Sequence, residues 1–187
     1  MKPLIILDRD GVINFDPDDY ITKAEDWHPL PGSLEAMAAL TQAGYRIAIA
    51  TNKAGIAKGR YDEKALTAIH DKMQFAAKAA GAQIDYIIHC PHTPEQACHC
   101  RKPEPGMLLA IGKYFQTQLE QVYFVGDKYS DMQAALRAGC RPAMVATGYG
   151  KRHYVQYIHA LKNLTLYDNL NDFVKKEFVD KFEQEKK

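Results

Sequence analysis

Residues 3–12 read PLIILDRDGV, an apolar run that ends at two aspartates, Asp8 and Asp10. Short apolar runs bounded by polar residues are typical of buried strands. Residues two positions apart in an extended chain project to the same side. The stretch therefore predicts a buried strand with two neighbouring carboxylates just beyond its carboxyl end.

Four similar apolar runs extend this prediction to a sheet. The five predicted strands cover residues 3–7, 46–50, 84–89, 121–125 and 142–146. Helical patterns lie between them: one begins with Ser33 as its N-cap and ends at Gly44, and two more cover residues 62–81 and 130–139. Residues 170–184 alternate apolar and charged positions at near-helical spacing, which predicts a packed terminal helix. The pattern as a whole predicts an α/β fold with a mostly parallel sheet covered on both faces, whose ligands bind at the carboxyl ends of the strands.

Composition narrows the possible partners. The 187 residues are 47% hydrophobic and 25% charged, which suits one globular domain over residues 1–187, and the formal net charge is +1. A net charge close to zero does not favour a nucleic-acid partner or binding to an acidic membrane surface. The first apolar run is too short for a signal peptide, and no run approaches the roughly 18 apolar residues of a membrane span. We therefore expect a cytoplasmic monomer that binds neither nucleic acid nor membrane.

Polar residues also follow the other predicted strands. Thr51 and Asn52 follow the second strand, Lys102 comes after the third, and Asp127 and Lys128 follow the fourth. Taken singly, each of these groups is more often a turn, a strand exit or a solvated loop. Because the carboxyl ends of parallel strands meet at one edge of a sheet, their joint placement indicates one site.

Acid, acid, hydroxyl, lysine and acid, in that order at successive strand ends, resemble the four motifs of the haloacid dehalogenase (HAD) superfamily of phosphohydrolases. The resemblance extends over about residues 4–148. It implies a HAD-like fold of three layers, similar to the Rossmann arrangement, and a phosphatase that forms an aspartyl phosphate. It also implies Mg²⁺ as cofactor, since clustered carboxylates become favourable around a hard cation. The implied metal-binding residues are Asp8, Asp10 and Asp127.

The same resemblance implies catalytic roles. Asp8 would be the nucleophile, because a covalent intermediate replaces one difficult displacement by two easier ones. Asp10 would be the general acid and base, and its backbone carbonyl would contribute to the Mg²⁺ site. Thr51 and Lys102 would bind the oxygens of the transferred phosphoryl group and stabilise their charge.

Motif spacing predicts how the site is covered. Asp10 and Thr51 are 41 positions apart, and a helix and a strand take up most of that interval. No room remains for the inserted cap domain that many members of the superfamily carry, so we expect a capless, open site whose loops select the substrate. The candidate substrate-binding residues are Asn52, Arg101, Lys128, Asp16, Asp19, Tyr20 and Lys53.

A second candidate site is the cysteine-rich loop over residues 90–100. Disulfides rarely persist in a reducing compartment, and a catalytic thiol is not needed where an aspartate is the nucleophile, so metal binding is the preferred interpretation. Two short ligand pairs suit a closed, structural Zn²⁺ site formed by Cys90, His92, Cys98 and Cys100. His89 and His99 are alternatives to His92, and a reduced loop without metal remains the other possibility.

This zinc loop in a capless chain resembles one branch of the superfamily, the phosphatases of heptose bisphosphate and of histidinol phosphate. TNKAGIAKGRY, residues 51–61, is similar to TNQSGIARG of the heptose branch, whereas the histidinol branch typically has TNQDGLG. The resemblance implies removal of the 7-phosphate of D-glycero-D-manno-heptose 1,7-bisphosphate, in the synthesis of nucleotide-activated heptose for lipopolysaccharide or S-layer precursors. Lys53 and Ala54 replace the usual Gln-Ser, and the loop over residues 15–20 is one residue longer than the common form. Histidinol phosphate therefore stays as the alternative substrate.

Two hypotheses of other classes remain beside the enzyme. A zinc-stabilised binding module without catalysis is disfavoured because every motif residue is present. Nucleic-acid binding by the zinc loop is disfavoured because no aromatic and basic stripe lies beside the cysteines.

Overall fold

The computed structural model of the protein describes residues 2–17 and 19–179. Within them, six parallel strands form a sheet in the order β3-β2-β1-β4-β5-β6. The strands are β1 Leu4–Leu7, β2 Arg46–Asn52, β3 Tyr86–Cys90, β4 Tyr123–Gly126, β5 Arg141–Val145 and β6 Leu166–Tyr167. The five predicted strands are confirmed, and each of their ends lies within two residues of the predicted position. Strand β6 was not predicted.

Helices connect the strands. The α-helices are α1 Ser33–Gln42, α2 Glu63–Ala79, α3 Gly106–Phe115, α4 Tyr129–Ala138, α5 Gly150–Gln156, α6 Ile158–Leu161 and α7 Leu170–Val174. Short 3₁₀ turns cover Ala24–Asp26, Pro94–Gln96 and Leu119–Gln121. The three predicted helices correspond to α1, α2 and α4.

Helix ends follow the expected chemistry with one exception. Asp62 caps α2 by accepting a hydrogen bond from the Ala65 backbone N–H at 2.8 Å. Gly139 takes the left-handed conformation at the end of α4, with a φ of 78°. The prediction that Ser33 is the N-cap of α1 was wrong: Gly32 occupies that position, and the Ser33 hydroxyl donates instead to the Ile13 carbonyl at 2.7 Å.

The predicted terminal helix over residues 170–184 is seen only in its first part. Helix α7 continues as a π-helical turn over Lys175–Val179, and residues 180–184 lie outside the described residues. Glu177 ties this turn to the sheet, because its carboxylate accepts hydrogen bonds from the hydroxyls of Tyr123 and Tyr167 at 2.6 and 2.8 Å.

The core has two layers, one on each face of the sheet. Alternate side chains of β1 point to opposite faces, so Ile5 and Leu7 pack in one cluster with α1, α2 and α7. Leu4 and Ile6 pack in the other cluster with α3 and α4. The expected three-layer arrangement of helices, sheet and helices is therefore confirmed.

The position of β1 determines where a ligand can bind. Strand β1 lies between β2 and β4, so the chain connections diverge on either side of it and leave a crevice at its carboxyl end. Within the described residues, the interval between β1 and β2 contains only the turn Ala24–Asp26 and α1 as helical segments. The crevice is therefore not covered by an inserted helical domain. None of the described helices is long and apolar enough to cross a membrane.

Candidate active site

Three buried carboxylates meet at the carboxyl end of the sheet. Asp8 follows β1, Asp127 follows β4, and Asp131 lies in the first turn of α4. An oxygen of each lies within 4.8 Å of an oxygen of the others. Asp8 and Asp127 were predicted site residues. Asp131 was not, although it stands in the same GDKYSDMQAA segment and its burial could have been suspected from that proximity.

Lys102 lies between two of these acids. Its Nζ is 2.9 Å from Asp8 Oδ1 and 2.7 Å from Asp131 Oδ1, and it donates to the Ala50 carbonyl at 3.0 Å. Burial alone would lower the pKa of Lys102, but Asp131 and Asp8 raise it above the ordinary value. The side chain is therefore a fixed positive charge beside Asp8.

Asn52 holds this lysine in place. Its side-chain Nδ2 donates to the Lys102 carbonyl, and its Oδ1 accepts from the Lys102 backbone N–H, both at 3.1 Å. Both polar atoms of the Asn52 amide are thus engaged with the backbone of the lysine. Asn52, a candidate substrate contact in the sequence, is placed as a support for Lys102. Thr51 is buried and lines the cavity beside it.

Glycines let the backbone approach Asp127 closely. A side chain on Gly11 or on Gly148 would overlap the Asp127 carboxylate, and both glycines have positive φ angles, of 81° and 58°. Tyr149 donates its backbone N–H to Asp127 Oδ2 at 2.8 Å. Burial raises the pKa of Asp127 to about 8, and the neighbouring Asp131 and Asp8 add to this rise against the effect of Lys128. An additional cation is needed to make this acidic cluster favourable in its charged form.

The donor set fits Mg²⁺. The three carboxylates supply hard oxygen ligands, and Lys102 and Lys128, the latter shared with Asp16, do not balance their negative charge. Of the three predicted metal ligands, Asp8 and Asp127 lie in this cluster. The Asp10 carboxylate does not belong to the cluster, so only its backbone carbonyl remains available for the predicted contribution.

The Asp10 carboxylate is instead surrounded by donors. Its Oδ1 accepts from Arg9 Nε and Nη2 at 2.8 and 2.6 Å and from Asn14 Nδ2 at 3.0 Å, and its Oδ2 accepts from Lys53 Nζ. Burial would raise the pKa of Asp10, but Arg9 and Lys53 hold it well below its usual range. Burial, together with Arg9, lowers the pKa of Lys53 to about 8. Lys53, predicted as a substrate contact, is placed as the partner of Asp10.

Most cations of the cavity are already paired. The cavity has a volume of about 890 Å³ and extends from Asp8 to the cysteine loop. Lys128 Nζ is 2.8 Å from Asp16 Oδ2, so these two predicted substrate contacts, which both line the cavity, bind each other. Asp19 is likewise paired with Arg60 at 2.7 Å. Among the Lys and Arg side chains of the described part of the chain that line the cavity, Lys58 and Arg101 are the two without a carboxylate partner.

The four predicted zinc ligands lie together at the edge of this cavity. Cys90 Sγ is 3.0 Å from Cys100 Sγ and 3.5 Å from Cys98 Sγ, and His92 Nδ1 is 3.3 Å from Cys100 Sγ. A tetrahedron around a metal with bonds of about 2.0 to 2.3 Å has edges of roughly 3.3 to 3.8 Å, so the ligand atoms lie at or somewhat inside the separations that such a metal requires. His89 is directed to Glu63 at 3.1 Å instead. The donor set and its size therefore fit Zn²⁺, with His92 as the histidine ligand.

Comparisons with known proteins agree with this geometry. A family profile described as HAD-hydrolase-like matches residues 99–173. The D-glycero-β-D-manno-heptose-1,7-bisphosphate 7-phosphatase of Pseudomonas putida is 49% identical over 80% of this chain and 85% of its own length. The protein of the same name from Neisseria meningitidis is 46% identical over 91% of both chains.

A solved structure extends the similarity to nearly the whole fold. The crystal structure of the D,D-heptose 1,7-bisphosphate phosphatase of Bordetella bronchiseptica, complexed with magnesium and phosphate, superposes with a TM-score of 0.88 and 41% identity. The match covers 98% of this chain and 99% of that one. Together with the carboxylate cluster, the buried lysine and the cysteine loop, these similarities show that the chain belongs to the HAD-like hydrolases, in the family of the D-glycero-β-D-manno-heptose-1,7-bisphosphate 7-phosphatases.

Proposed function

We propose that the protein is a Mg²⁺-dependent phosphatase that removes the 7-phosphate of D-glycero-D-manno-heptose 1,7-bisphosphate and leaves the 1-phosphate. The observation that carries the proposal is the distribution of charge in the cavity. Asp8 and Lys102 lie beside the acidic cluster, and Lys58 and Arg101 line the same cavity without a carboxylate partner among the described residues. A substrate with two phosphates suits this set of charges. The product, heptose 1-phosphate, would serve the synthesis of nucleotide-activated heptose.

Asp8 is proposed as the nucleophile because one of its oxygens is free to react. Oδ1 accepts from the Arg9 backbone N–H at 2.7 Å and lies 2.9 Å from Lys102 Nζ. Oδ2 has no hydrogen-bond partner among the described residues, and Asp8 lines the cavity. Attack by Oδ2 on phosphorus would form the aspartyl phosphate while the bond from phosphorus to the sugar oxygen breaks. Water would then attack phosphorus, which returns the carboxylate and releases inorganic phosphate.

Asp10 is proposed to move the protons of both steps. It would give a proton to the departing sugar oxygen in the first step and take one from the attacking water in the second. Its side chain is partly accessible from the cavity, with an exposed fraction of 18%. Since Arg9, Asn14 and Lys53 occupy its oxygens, substrate binding must loosen at least the contact with Lys53 before Asp10 can act as an acid.

Charge stabilisation is assigned to residues around the transferred phosphoryl group. Lys102 and the Thr51 hydroxyl would bind its oxygens, because phosphoryl transfer is catalysed mainly by positioning and charge. Asp8, Asp127 and Asp131 would hold Mg²⁺ with the Asp10 backbone carbonyl. When bound, the ion neutralises negative charge on the phosphate.

Selection of the substrate is assigned to Arg101 and Lys58, the two lining cations without a carboxylate partner in the described part of the chain. The planar fork of Arg101 can bind the second phosphate through two parallel hydrogen bonds, and Lys58 adds a second charge. Arg101 Nη1 donates to the His92 carbonyl at 3.0 Å, which leaves its other nitrogens without a protein partner in the described region. Histidinol phosphate would present an amine to these cations and should be repelled.

The selectivity prediction follows from this charge distribution. The bisphosphate should exceed histidinol phosphate and simple hexose monophosphates in kcat/KM by at least about 100-fold, equivalent to about 2.7 kcal/mol. Arg101→Ala should reduce the difference in kcat/KM between the bisphosphate and the other two substrates, mainly through a higher KM for the bisphosphate. Steady-state kinetics on the three substrates is the measurement. Arg152→Ala, the same change at an exposed arginine of α5 that does not line the cavity, is the matched control. Equal efficiency with histidinol phosphate would favour the alternative substrate.

Zinc is proposed as a structural ion of the cysteine loop. With four protein ligands the coordination shell is closed, so the ion would stabilise the loop and, through the His92 carbonyl, the position of Arg101. Protein purified without added metal should contain about one zinc per chain, and Cys98→Ala should lose it. Cys140→Ala, a change at the cysteine outside the cluster, should retain it.

Elemental analysis with activity assays tests this prediction. We expect zinc loss to raise KM for the bisphosphate before it affects turnover of a small phosphate. Zinc below about 0.2 per chain in fully active protein would contradict a structural role.

A further inference from the structure

Two tyrosines, Tyr20 and Tyr61, line the cavity and lie beside each other. Tyr20 lies in the loop that follows β1, and Tyr61 lies near the end of the loop that follows β2. Their ring centroids are 6.3 Å apart, and the ring planes are inclined by 57°. A side chain on Gly55 would overlap the Tyr61 ring and press on Tyr20, so glycine at this position lets both rings lie against the backbone. We call this surface the Tyr20–Tyr61 wall.

Charged contacts hold the wall in place. Arg60 Cζ lies 6.0 Å from the centre of the Tyr20 ring, and its Nη2 donates to Asp19 Oδ2 at 2.7 Å. Lys58 Nζ lies 5.8 Å from the same ring centre. The loops after β1 and β2 are thereby joined at the wall, and Tyr20 lies next to one of the unpaired cations.

Tyr61 lies within electrostatic range of Asp10 in the reacting centre. Burial raises the pKa of Tyr61 to about 12; Arg9 opposes the rise, and Asp10 and Tyr20 contribute to it. The Tyr61 hydroxyl is therefore protonated at neutral pH, in the electrostatic range of Asp10. It makes no hydrogen bond to a described residue. The wall thus extends from the side of Asp10, where the sugar oxygen would depart, to the side of Lys58, where the second phosphate would bind.

We infer that the Tyr20–Tyr61 wall is the binding surface for the sugar body between its two phosphates, with the Tyr61 hydroxyl available to a sugar hydroxyl. The inference depends on the proposed function. Pockets for small ligands combine aromatic surface with a few polar groups that fix orientation, and here the polar groups stand at the two ends of the aromatic surface. Tyr20 and Tyr61 are therefore assigned as determinants of specificity, whereas the chemical steps are assigned to Asp8 and Asp10.

A comparison of two substrates separates sugar binding from chemistry. Acetyl phosphate has a transferable phosphate but no sugar, so it does not need the wall. Tyr61→Leu should raise KM for the heptose bisphosphate by about 10-fold, since aromatic contacts contribute up to about 1.5 kcal/mol. The same variant should keep kcat/KM for acetyl phosphate within about twofold. Tyr61→Phe keeps the ring, and should raise KM for the bisphosphate by about threefold or less.

Controls make the result decisive. Tyr114→Leu, the same change at an exposed tyrosine of α3 outside the cavity, should affect neither substrate. If Tyr61→Leu folds poorly, Tyr20→Leu supplies the same test. Equal loss with both substrates, or no loss with either, would overturn the inference while the proposed function stands. Unmodified enzyme that hydrolyses acetyl phosphate but not the bisphosphate would overturn the proposed function, and the inference with it.

Discussion

Asp8→Asn should abolish turnover, with a loss of about 10⁴-fold or more, while the fold stays intact. A neutral amide cannot form the acyl phosphate, and removal of a covalent nucleophile is among the most costly changes in an enzyme. The structure shows why the variant should fold. Lys102 keeps its ion pair with Asp131 at 2.7 Å when the charge of Asp8 is removed, and asparagine has nearly the same shape as aspartate.

Rate and stability must be measured together to interpret this variant. Asp71→Asn makes the same chemical change at an exposed position of α2 and should leave turnover unchanged. Thermal unfolding should show that Asp8→Asn is folded. Residual activity above about one hundredth of the unmodified rate, in folded protein, would exclude Asp8 as the nucleophile.

Asp10→Asn should lower kcat by roughly 10² to 10⁴, the usual contribution of general acid and base catalysis. It should also destabilise the protein, because Arg9 and Lys53 both lose their charged partner while they stay buried. Removing one partner of a buried ion pair costs about 3 kcal/mol, which corresponds to a decrease of about 6 to 12 °C in Tm for a chain of this size. The two effects have different causes and can be separated.

The double variant Asp10→Asn/Lys53→Gln performs that separation. Neutral glutamine in place of Lys53 removes one of the two buried charges left without a partner, so part of the lost Tm should return, while Arg9 still lacks its carboxylate partner. Turnover should not return, because no proton donor has been restored. Recovery of the rate together with the stability would mean that Asp10 acts only as a structural partner of Lys53.

The strands and motif residues could be predicted because their signals are local. Each of the five predicted strands is a short apolar run. Asp8 and Asp127 stand directly after two of them, and Lys102 follows the third strand beyond the cysteine loop. Parallel strands bring such positions to one edge of the sheet, so Asp8, Lys102 and Asp127 could be assigned to one site before the fold was known. The grouping of the four candidate zinc ligands was predictable because their signal is local too, since all four lie within residues 90–100.

Elements stabilised by distant packing were missed. Helix α3 contains Gly106 and Gly112, which disfavour a helix by local propensity. A side chain on Gly106 would overlap the His99 backbone, and one on Gly112 would press on Leu119, so close packing requires both glycines. Strand β6 has only two residues and lies at the edge of the sheet, which leaves no periodic pattern to read.

Ion pairs between residues that are far apart in the sequence could also not be predicted. Lys128 and Asp16 are 112 positions apart, and nothing in either segment indicates that they bind each other. Because Lys53 and Lys128 are paired with carboxylates, Lys58 and Arg101 are the lining cations that remain available to a second phosphate.

Asp131 was missed because an acid in the first turn of a helix is ordinarily a solvated residue that interacts favourably with the helix dipole.

Phosphorus NMR of the reaction with D-glycero-D-manno-heptose 1,7-bisphosphate tests the proposed function most directly. With Mg²⁺ present, the signal of the 7-phosphate should disappear as one equivalent of inorganic phosphate forms, while the signal of the 1-phosphate is retained. Loss of the 1-phosphate first, or no reaction under conditions in which histidinol phosphate is hydrolysed, would contradict the proposed function.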